Sequence, residues 1–571
     1  MEQAPATTSV QATDSDHEDL PKPESGTIAD LERKLTGIAA EDFKPTKRLY
    51  VAFMTLAVIT LMVALDGTSL SVALPIISDR LHGTAIEAFW SGTSFLLCST
   101  VFQPSFASFS HIFGRKPMVY LSLVFFLIGA LVAATANGFG PLLVGRSFQG
   151  LGGGGIFALT EILVTDLVPL RLRGQWFGII SGMWSLGSVG GPIIGGVFAQ
   201  KVSWRWIFYI NLPFIGIAFP FVFIFLTLHF KPTGLMNQLK RVDYVGTVLF
   251  IGSTTSVLIP ITWGGVSYAW SSWRTLVPLL IGICGETAFV AWEYFFAKEP
   301  LIRLRLFGNR TSSIAFLNDT IHGMILWTLL YYLPLYYEAV KNENEIITGI
   351  SVFPETFTVA PVAVVTGITI TKTGRYRWAI WSGWALTCLG MGLLYLLDVH
   401  TTTVQWIFLN LVSGIGMGLL FPSMAFAVQA SSLSEDQAFA VTMFSFFRSF
   451  GQAIGVAVGG TIFQNQIAKK LMAYPLLAPN AASYSSDAAA LVQVIKSMVG
   501  DPAQKMQHAD LIQAYADALK VVWIVMCALA AFAGLTSFLI KGLDINAPLS
   551  TEQGFTEPKK AADPEKEEGS A

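Results

Sequence analysis

Apolar stretches of roughly 20 residues recur along the chain, a length that crosses a ~30 Å hydrocarbon core as one helix. About fourteen can be read, centred near Val58, Phe95, Leu127, Phe157, Leu186, Pro220, Ser253, Gly282, Ile325, Ala360, Leu386, Gly416, Ile454 and Leu529. Each run is continuous and does not alternate between apolar and polar positions. That pattern predicts helices and not barrel strands. The expected fold class is all-α integral membrane.

Composition agrees. Of 571 residues, 53% are hydrophobic and 13% charged, against about a quarter charged in an average soluble chain. Lys and Arg number 36 and Asp and Glu 38, a net charge of −2, so a basic nucleic-acid binder is excluded. The charge is unevenly placed: residues 1–48 carry 16 charged side chains and residues 541–571 carry 11. Both segments are expected to be disordered tails. The first has no basic start followed by an apolar core, so it is no secretory signal. Lys44, Lys47 and Arg48 precede the first run and put the N-terminus in the cytoplasm. The short loops then hold fourteen Lys and Arg on the cytoplasmic side, from Arg115 and Lys116 to Arg375 and Arg377. The outer side has five: Arg80, Lys201, Arg205, Arg274 and Lys341. Both termini are expected in the cytoplasm and the chain in the cell membrane, with the vacuolar membrane as the alternative. The four cysteines lie one per apolar run, without metal or disulfide spacing.

A weak internal repeat organises the runs. Phe113-Gly114-Arg115-Lys116-Pro117 follows the second, and Thr373-Gly374-Arg375-Tyr376-Arg377 follows the tenth. Such duplication implies two six-helix halves. The expected divisions are a tail at 1–48, a first half at 49–228, a linker with two inserted helices at 229–300, a second half at 301–540 with a long outer loop at 464–519, and a tail at 541–571.

Four stretches carry a resemblance: LDGTSLSVALP at 65–75, LLVGRSFQGLGGGG at 142–155, GSVGGPIIGG at 187–196 and WRWIFYINLP at 204–213. In this order and at these helices, the chain resembles the major facilitator superfamily, specifically its fourteen-spanner drug:proton antiporters of the fungal multidrug and toxin efflux type. The resemblance implies two six-helix halves plus two inserted helices. It also implies a gating loop at His111, Gly114, Arg115 and Lys116, and an antiporter motif at Gly187, Gly191, Pro192, Gly195 and Gly196. The loop departs from the family pattern, because Ala107 replaces the first Gly and His111 the Asp. Asp166 is then the acid expected to pair with Arg115 or Arg173.

Charges at membrane depth are costly and are functional candidates by default. Six stand out: Asp66, Arg146, Glu161, Asp319, His322 and Arg448. Asp66 and Arg146 are expected at compatible depth, where protonating Asp66 would release a permanently charged Arg. Glu161 is 15 residues past Arg146, about 22 Å deeper, and does not reach it. Asp319 and His322 are i, i+3 on the ninth helix and share a face. Arg448 balances charge in the second half or serves a gate. Trp204, Trp206, Trp263, Trp270, Trp273, Trp327 and Trp406 read as interfacial aromatics. Some of Phe95, Phe102, Trp184, Trp327 and Tyr331 read instead as lining an apolar cavity.

The expected function is proton-coupled export of an amphipathic small molecule by alternating access. No nucleotide loop, hydrolase elbow or metal motif is visible, so no enzyme is expected. The partners are the substrate, protons and the bilayer, with no nucleic acid and a monomeric state. No cofactor beyond the proton gradient is called for. A siderophore or nutrient importer and a non-transporting receptor are the alternatives.

Overall fold

The computed structural model describes residues 43–83, 85–230, 234–265, 268–485 and 488–546. Apart from 43–48 and 541–546, the two expected tails lie outside the described residues. Among those residues the regular elements are helices, with one isolated bridge between Gly264 and Tyr268.

Fourteen of the helices are long. The first six are α1 (Lys47–Arg80), α2 (Ala85–Phe113), α3 (Arg115–Ala134), α4 (Phe139–Leu167), α5 (Arg173–Val197) and α6 (Asn211–Phe225). A pair follows, α7 (Tyr244–Trp263) and α8 (Trp273–Phe295). The last six are α9 (Arg310–Ala339), α10 (Phe353–Thr373), α11 (Arg377–Leu394), α12 (Thr403–Ala430), α13 (Gln437–Met472) and α14 (Lys505–Ser537). Among the described residues eleven spans are long and apolar enough to cross a membrane, α6 counted together with the turn Trp206–Tyr209 that leads into it. The three that fall short, α2, α9 and α11, carry polar side chains turned inward. Ser91, Gln103, Asn318, Asp319, His322 and Thr387 are all buried.

Packing repeats between the two sets of six. α1 lies on α5 as α9 lies on α13, α4 on α2 and α3 as α12 on α10 and α11. The sets meet through α5 against α10 and α2 against α13. Small residues make these contacts possible in lipid, where close backbone approach replaces the hydrophobic drive. A side chain at Gly195 would collide with the Ser69 carbonyl, and one at Gly451 with the Thr320 carbonyl. Between α2 and α3, Gly114 takes φ 95°, and after α10, Gly374 takes φ 69°. These are the glycines of the two Gly-Arg turns, in a backbone region that other residues rarely enter.

Those turns mark the basic end of the bundle. There residues 541–546 lie against the bundle, with Ile545 fully buried. The Tyr376 hydroxyl donates to the Lys541 carbonyl at 2.7 Å and accepts from Leu543 N–H at 3.1 Å. At the other end the expected long loop is shorter than the sequence suggested. α13 continues to Met472, α14 begins at Lys505, and a short helix Ala488–Ser497 fills the gap. Leu491, Val492 and Ile495 of that helix are buried, so its amphipathic pattern continues the core beyond the apolar runs.

Candidate functional site

Three polar groupings lie along the bundle. The first is inside the first six helices. Asp66 of α1 and Arg146 of α4 form an ion pair with both side chains fully buried. Arg146 Nη1 also donates to Gln149 Oε1 at 2.9 Å, and its Nε to the Ser91 carbonyl at 3.1 Å. The other Asp66 oxygen accepts from Gln149 Nε2 at 2.8 Å and Asn211 Nδ2 at 2.7 Å. The guanidinium stands 4.4 Å from the Phe95 ring centroid. A buried pair needs further hydrogen bonds to its ions; Gln149 and Asn211 supply them to Asp66, and Gln149 and Ser91 to Arg146, whose Nη2 is left without a partner. The sequence reading brought Asp66 and Arg146 together but missed Gln149 and Asn211. Both stood inside the quoted stretches, Gln149 one helical turn after Arg146.

The second grouping lines a central crevice between the two sets, with a cavity volume of ≈ 70 Å³. Phe157, Trp184, Leu326 and Phe421 make its apolar walls, and Glu161, His322, Arg448, Ser449 and Gln452 its polar ones. Glu161 of α4 faces Arg448 of α13 across the boundary at 3.5 Å. Arg448 lies 4.4 Å from the Phe421 ring centroid. Trp184 of α5 and Trp327 of α9 stack at 6.1 Å and 26° across the same boundary.

The geometry revises several expectations. Asp66, Arg146 and Asp319 do not line the crevice. Asp319 is fully buried with neither oxygen hydrogen-bonded, so it and His322 share a helix face without bonding each other. His322 Nε2 lies instead 3.4 Å from the Met417 carbonyl. Arg448 balances Glu161 of the first set. Trp204, Trp327 and Trp406 are buried at 4%, 3% and 7% exposure and face into the protein, unlike the outward aromatics of a belt. Sequence spacing fixes a shared face but not which neighbouring helix fills it. The reading also passed over Glu355 of α10, fully buried with both oxygens unpartnered. It sits close to the edge of an apolar run, where an acid reads as part of a loop.

The third grouping closes the basic end. Arg115 Nε pairs with Asp166 Oδ2 at 2.9 Å, and Arg115 Nη1 donates to Ser110 Oγ at 2.8 Å. Arg173 takes another route. It donates to the Thr165 and Val168 carbonyls at 2.8 Å each and to Gln429 and Gln437 of the second set at 2.7 Å each. Arg171 reaches the Thr371 carbonyl and the Asn546 side chain, both at 3.0 Å. Lys116 turns from the junction and donates to the Phe223 carbonyl at 2.8 Å. The His111 ring meets Phe439 of α13 at 5.8 Å, beside a cleft with Arg303, Arg305 and Glu435. Arg303 pairs with Asp436 at 2.5 Å and Arg305 with Glu435 at 2.7 Å. Acids on the α12–α13 turn thus stand at this junction, where position 111 carries none. The Gly187, Gly191, Pro192, Gly195 and Gly196 row lies along α5, with Gly187, Gly191 and Gly195 pressed onto α1.

Comparison with known proteins agrees with this arrangement. The model of the family described as Major Facilitator Superfamily matches residues 56–456. A protein named MFS transporter L2 from Phoma sp. is 56% identical over 92% of this chain and 88% of its own. The MFS-type efflux pump LUC4 from Fusarium sp. is 38% identical over 92% of this chain and 94% of its own. The Acurin A biosynthesis cluster MFS-type transporter of Aspergillus aculeatus is 37% identical over 91% and 94%. Among solved structures, the human organic anion transporter MFSD10 is similar in fold, with TM-score 0.52 at 15% identity over 86% of this chain and 100% of that one. By its matched family model, its relatives and its paired six-helix sets, the chain belongs to the Major Facilitator Superfamily.

Proposed function

We propose that the chain exports an amphipathic small molecule in exchange for protons, by alternating access between its two six-helix sets. The observation that carries this reading is the crevice at their boundary. Aromatic and aliphatic walls suit an apolar body, while the Glu161–Arg448 pair and His322 offer a small number of placed polar groups. Relatives named efflux pumps support the direction.

Substrate entering between α4 and α13 competes for Glu161 or Arg448 and weakens the contact that joins the sets. Asp66 is the proposed coupling site. Protonation removes its charge, frees it from Arg146 and loosens the fastening of α1 to α4. Arg146 remains charged throughout. The Arg173, Gln429 and Gln437 contacts close the basic end and part when the crevice opens there. The proposal places that end and both termini in the cytoplasm, the chain as a monomer in the cell membrane, and the proton gradient as the energy source without a cofactor.

The test uses inverted membrane vesicles with an imposed pH gradient and rhodamine 6G as the probe. Wild type is expected to accumulate the dye in proportion to the gradient, and Asp66→Asn to lose that dependence. Wild-type accumulation indifferent to the gradient overturns proton coupling. Asp66→Asn behaving as wild type removes Asp66 from the mechanism.

A further inference from the structure

The internal repeat is far stronger in the structure than in the Gly-Arg turns that first suggest it. Gly150, Gly152 and Gly154 of α4 recur as Gly414, Gly416 and Gly418 of α12, each 264 residues later. Gly187, Gly191, Gly195 and Gly196 of α5 recur as Gly451, Gly455, Gly459 and Gly460 of α13 at the same separation. The contacts correspond as well. A side chain on Gly150 would strike the Phe95 carbonyl, and one on Gly414 the Glu355 carbonyl. Gly154 meets Ser99 where Gly418 meets Val359. Glu355 therefore occupies on α10 the place that Phe95 holds on α2, and Asn410 the place of Arg146.

The chemistry at the two places is inverted. In the first set an aromatic ring lies beneath a permanent cation that is neutralised by Asp66. In the second set the cation is replaced by a neutral amide and the ring by a carboxyl group. Asn410 Nδ2 donates to the Tyr337 hydroxyl at 2.5 Å. Asn410 Oδ1 and the Thr387 hydroxyl of α11 have no hydrogen-bond partner. The titratable groups about this pocket are Tyr337 of α9, within electrostatic reach of Glu355, and beyond it Tyr336 and Glu343, which act on Tyr337. On the α12 side stand Asn410 and the Gly414 backbone, and on α5 Ser185, which donates to the Thr356 carbonyl. Among the described residues, no charged group on these elements pairs with Glu355.

We infer that Glu355 carries a proton of its own through the transport cycle, as a second coupling site independent of Asp66. An ionised carboxylate without counter-ion or hydrogen bonds is not sustained in such a place, so the closed pocket holds the neutral acid. When α10 and α12 part and water enters, the O–H bond breaks, the proton passes to water and the carboxylate is left hydrated. Closure requires a proton to return. This deepens the proton-exchange reading above and rests on it.

The test has two arms on the full-length protein. Dicyclohexylcarbodiimide adds to protonated carboxyl groups in apolar surroundings. In detergent micelles, mass spectrometry of the digested chain is expected to find the adduct on Glu355 at neutral pH, lost as pH rises, and none on the ion-paired Asp66. A Glu355 unmodified even in acid overturns the inference. The second arm uses rhodamine 6G in inverted vesicles with the membrane potential clamped. Loss of one coupled proton in Glu355→Gln should lower the steady-state dye gradient about tenfold per unit of imposed pH difference, and Glu355→Asp should retain it. A gradient-dependent wild type matched by Glu355→Gln overturns this inference alone. A wild type indifferent to the gradient overturns the proton-exchange reading, while the labelling arm still reports whether Glu355 holds a proton.

Discussion

Removing the Asp66 carboxylate isolates a cation with no exposed surface. In Asp66→Ala, Arg146 keeps Gln149 and the Ser91 carbonyl as acceptors but loses its ion-pair partner. Gln149 Nε2 and Asn211 Nδ2 lose their shared acceptor at the same time. Breaking one side of a buried pair costs about 3–5 kcal/mol, and the two stranded amide donors fall within that range. Replacing both ions by apolar side chains of similar volume is close to neutral. Asp66→Leu/Arg146→Met should therefore be more stable than Asp66→Leu, by the part of the loss that comes from the uncompensated Arg146 cation, while Gln149 and Asn211 lack their acceptor in both. The assay is thermal unfolding of the purified protein in detergent micelles by circular dichroism, as a double-mutant cycle of Asp66→Leu, Arg146→Met and the two together, with a coupling of at least about 2 kcal/mol. The double variant should still fail to accumulate dye against a pH gradient. An Asp66→Ala protein as stable as wild type, or strictly additive effects in the cycle, would refute the argument that the pair is desolvated and mutually dependent.

Other outcomes follow from the same geometry. Arg173→Ala removes the donor to Gln429 and Gln437 and should raise thiol-reagent access to a cysteine placed at Ser449; unchanged access counts against a closing role. Cys388 and Cys527 have their sulfurs 3.7 Å apart. A lipid-soluble oxidant should join α11 to α14, seen as a linked peptide by mass spectrometry and absent in Cys527→Ser. Gly195→Ala and Gly451→Ala should each cost about 1–3 kcal/mol by forcing α1 from α5 and α9 from α13, read as lower melting temperatures. Asp398 lies in the loop before α12. Burial pushes its carboxyl up, but Lys520 at 2.6 Å, the Val399 N–H and Gln513 outweigh that and leave it below the ordinary 3.8. The stabilisation is present above pH 3.8 and fades as pH falls through the lowered folded value. Asp398→Asn should flatten melting temperature against pH in that acid range only.

The helical fold was legible because continuous apolar runs have one solution in lipid, and α1 to α14 follow the run centres from Val58 to Leu529. Intramembrane charge was legible as a set of residues, since any ionised group at depth needs a reason. Its pairing was legible only where helix spacing and depth fixed both partners, as for Asp66 and Arg146. The Glu161–Arg448 contact joins residues 287 positions apart on opposite sets, and nothing local in sequence encodes which helix of the second set faces α4. Gln149 and Asn211 escaped because neutral amides carry no depth penalty large enough to single them out. The doubled glycine rows were present throughout. Their equivalence becomes evident only when Gly150 and Gly414 are seen to touch corresponding carbonyls on α2 and α10.

The stacked Trp184 and Trp327 belong to opposite sets of helices, with their rings 6.1 Å apart and near parallel. Indoles that close share electronic excitation, and the coupling weakens steeply as the rings separate. The chain therefore carries a native optical gauge at the boundary where the proposed cycle would open. Its near-ultraviolet circular dichroism and tryptophan emission should track opening and closing in unlabelled protein, with Trp327→Phe as the blank.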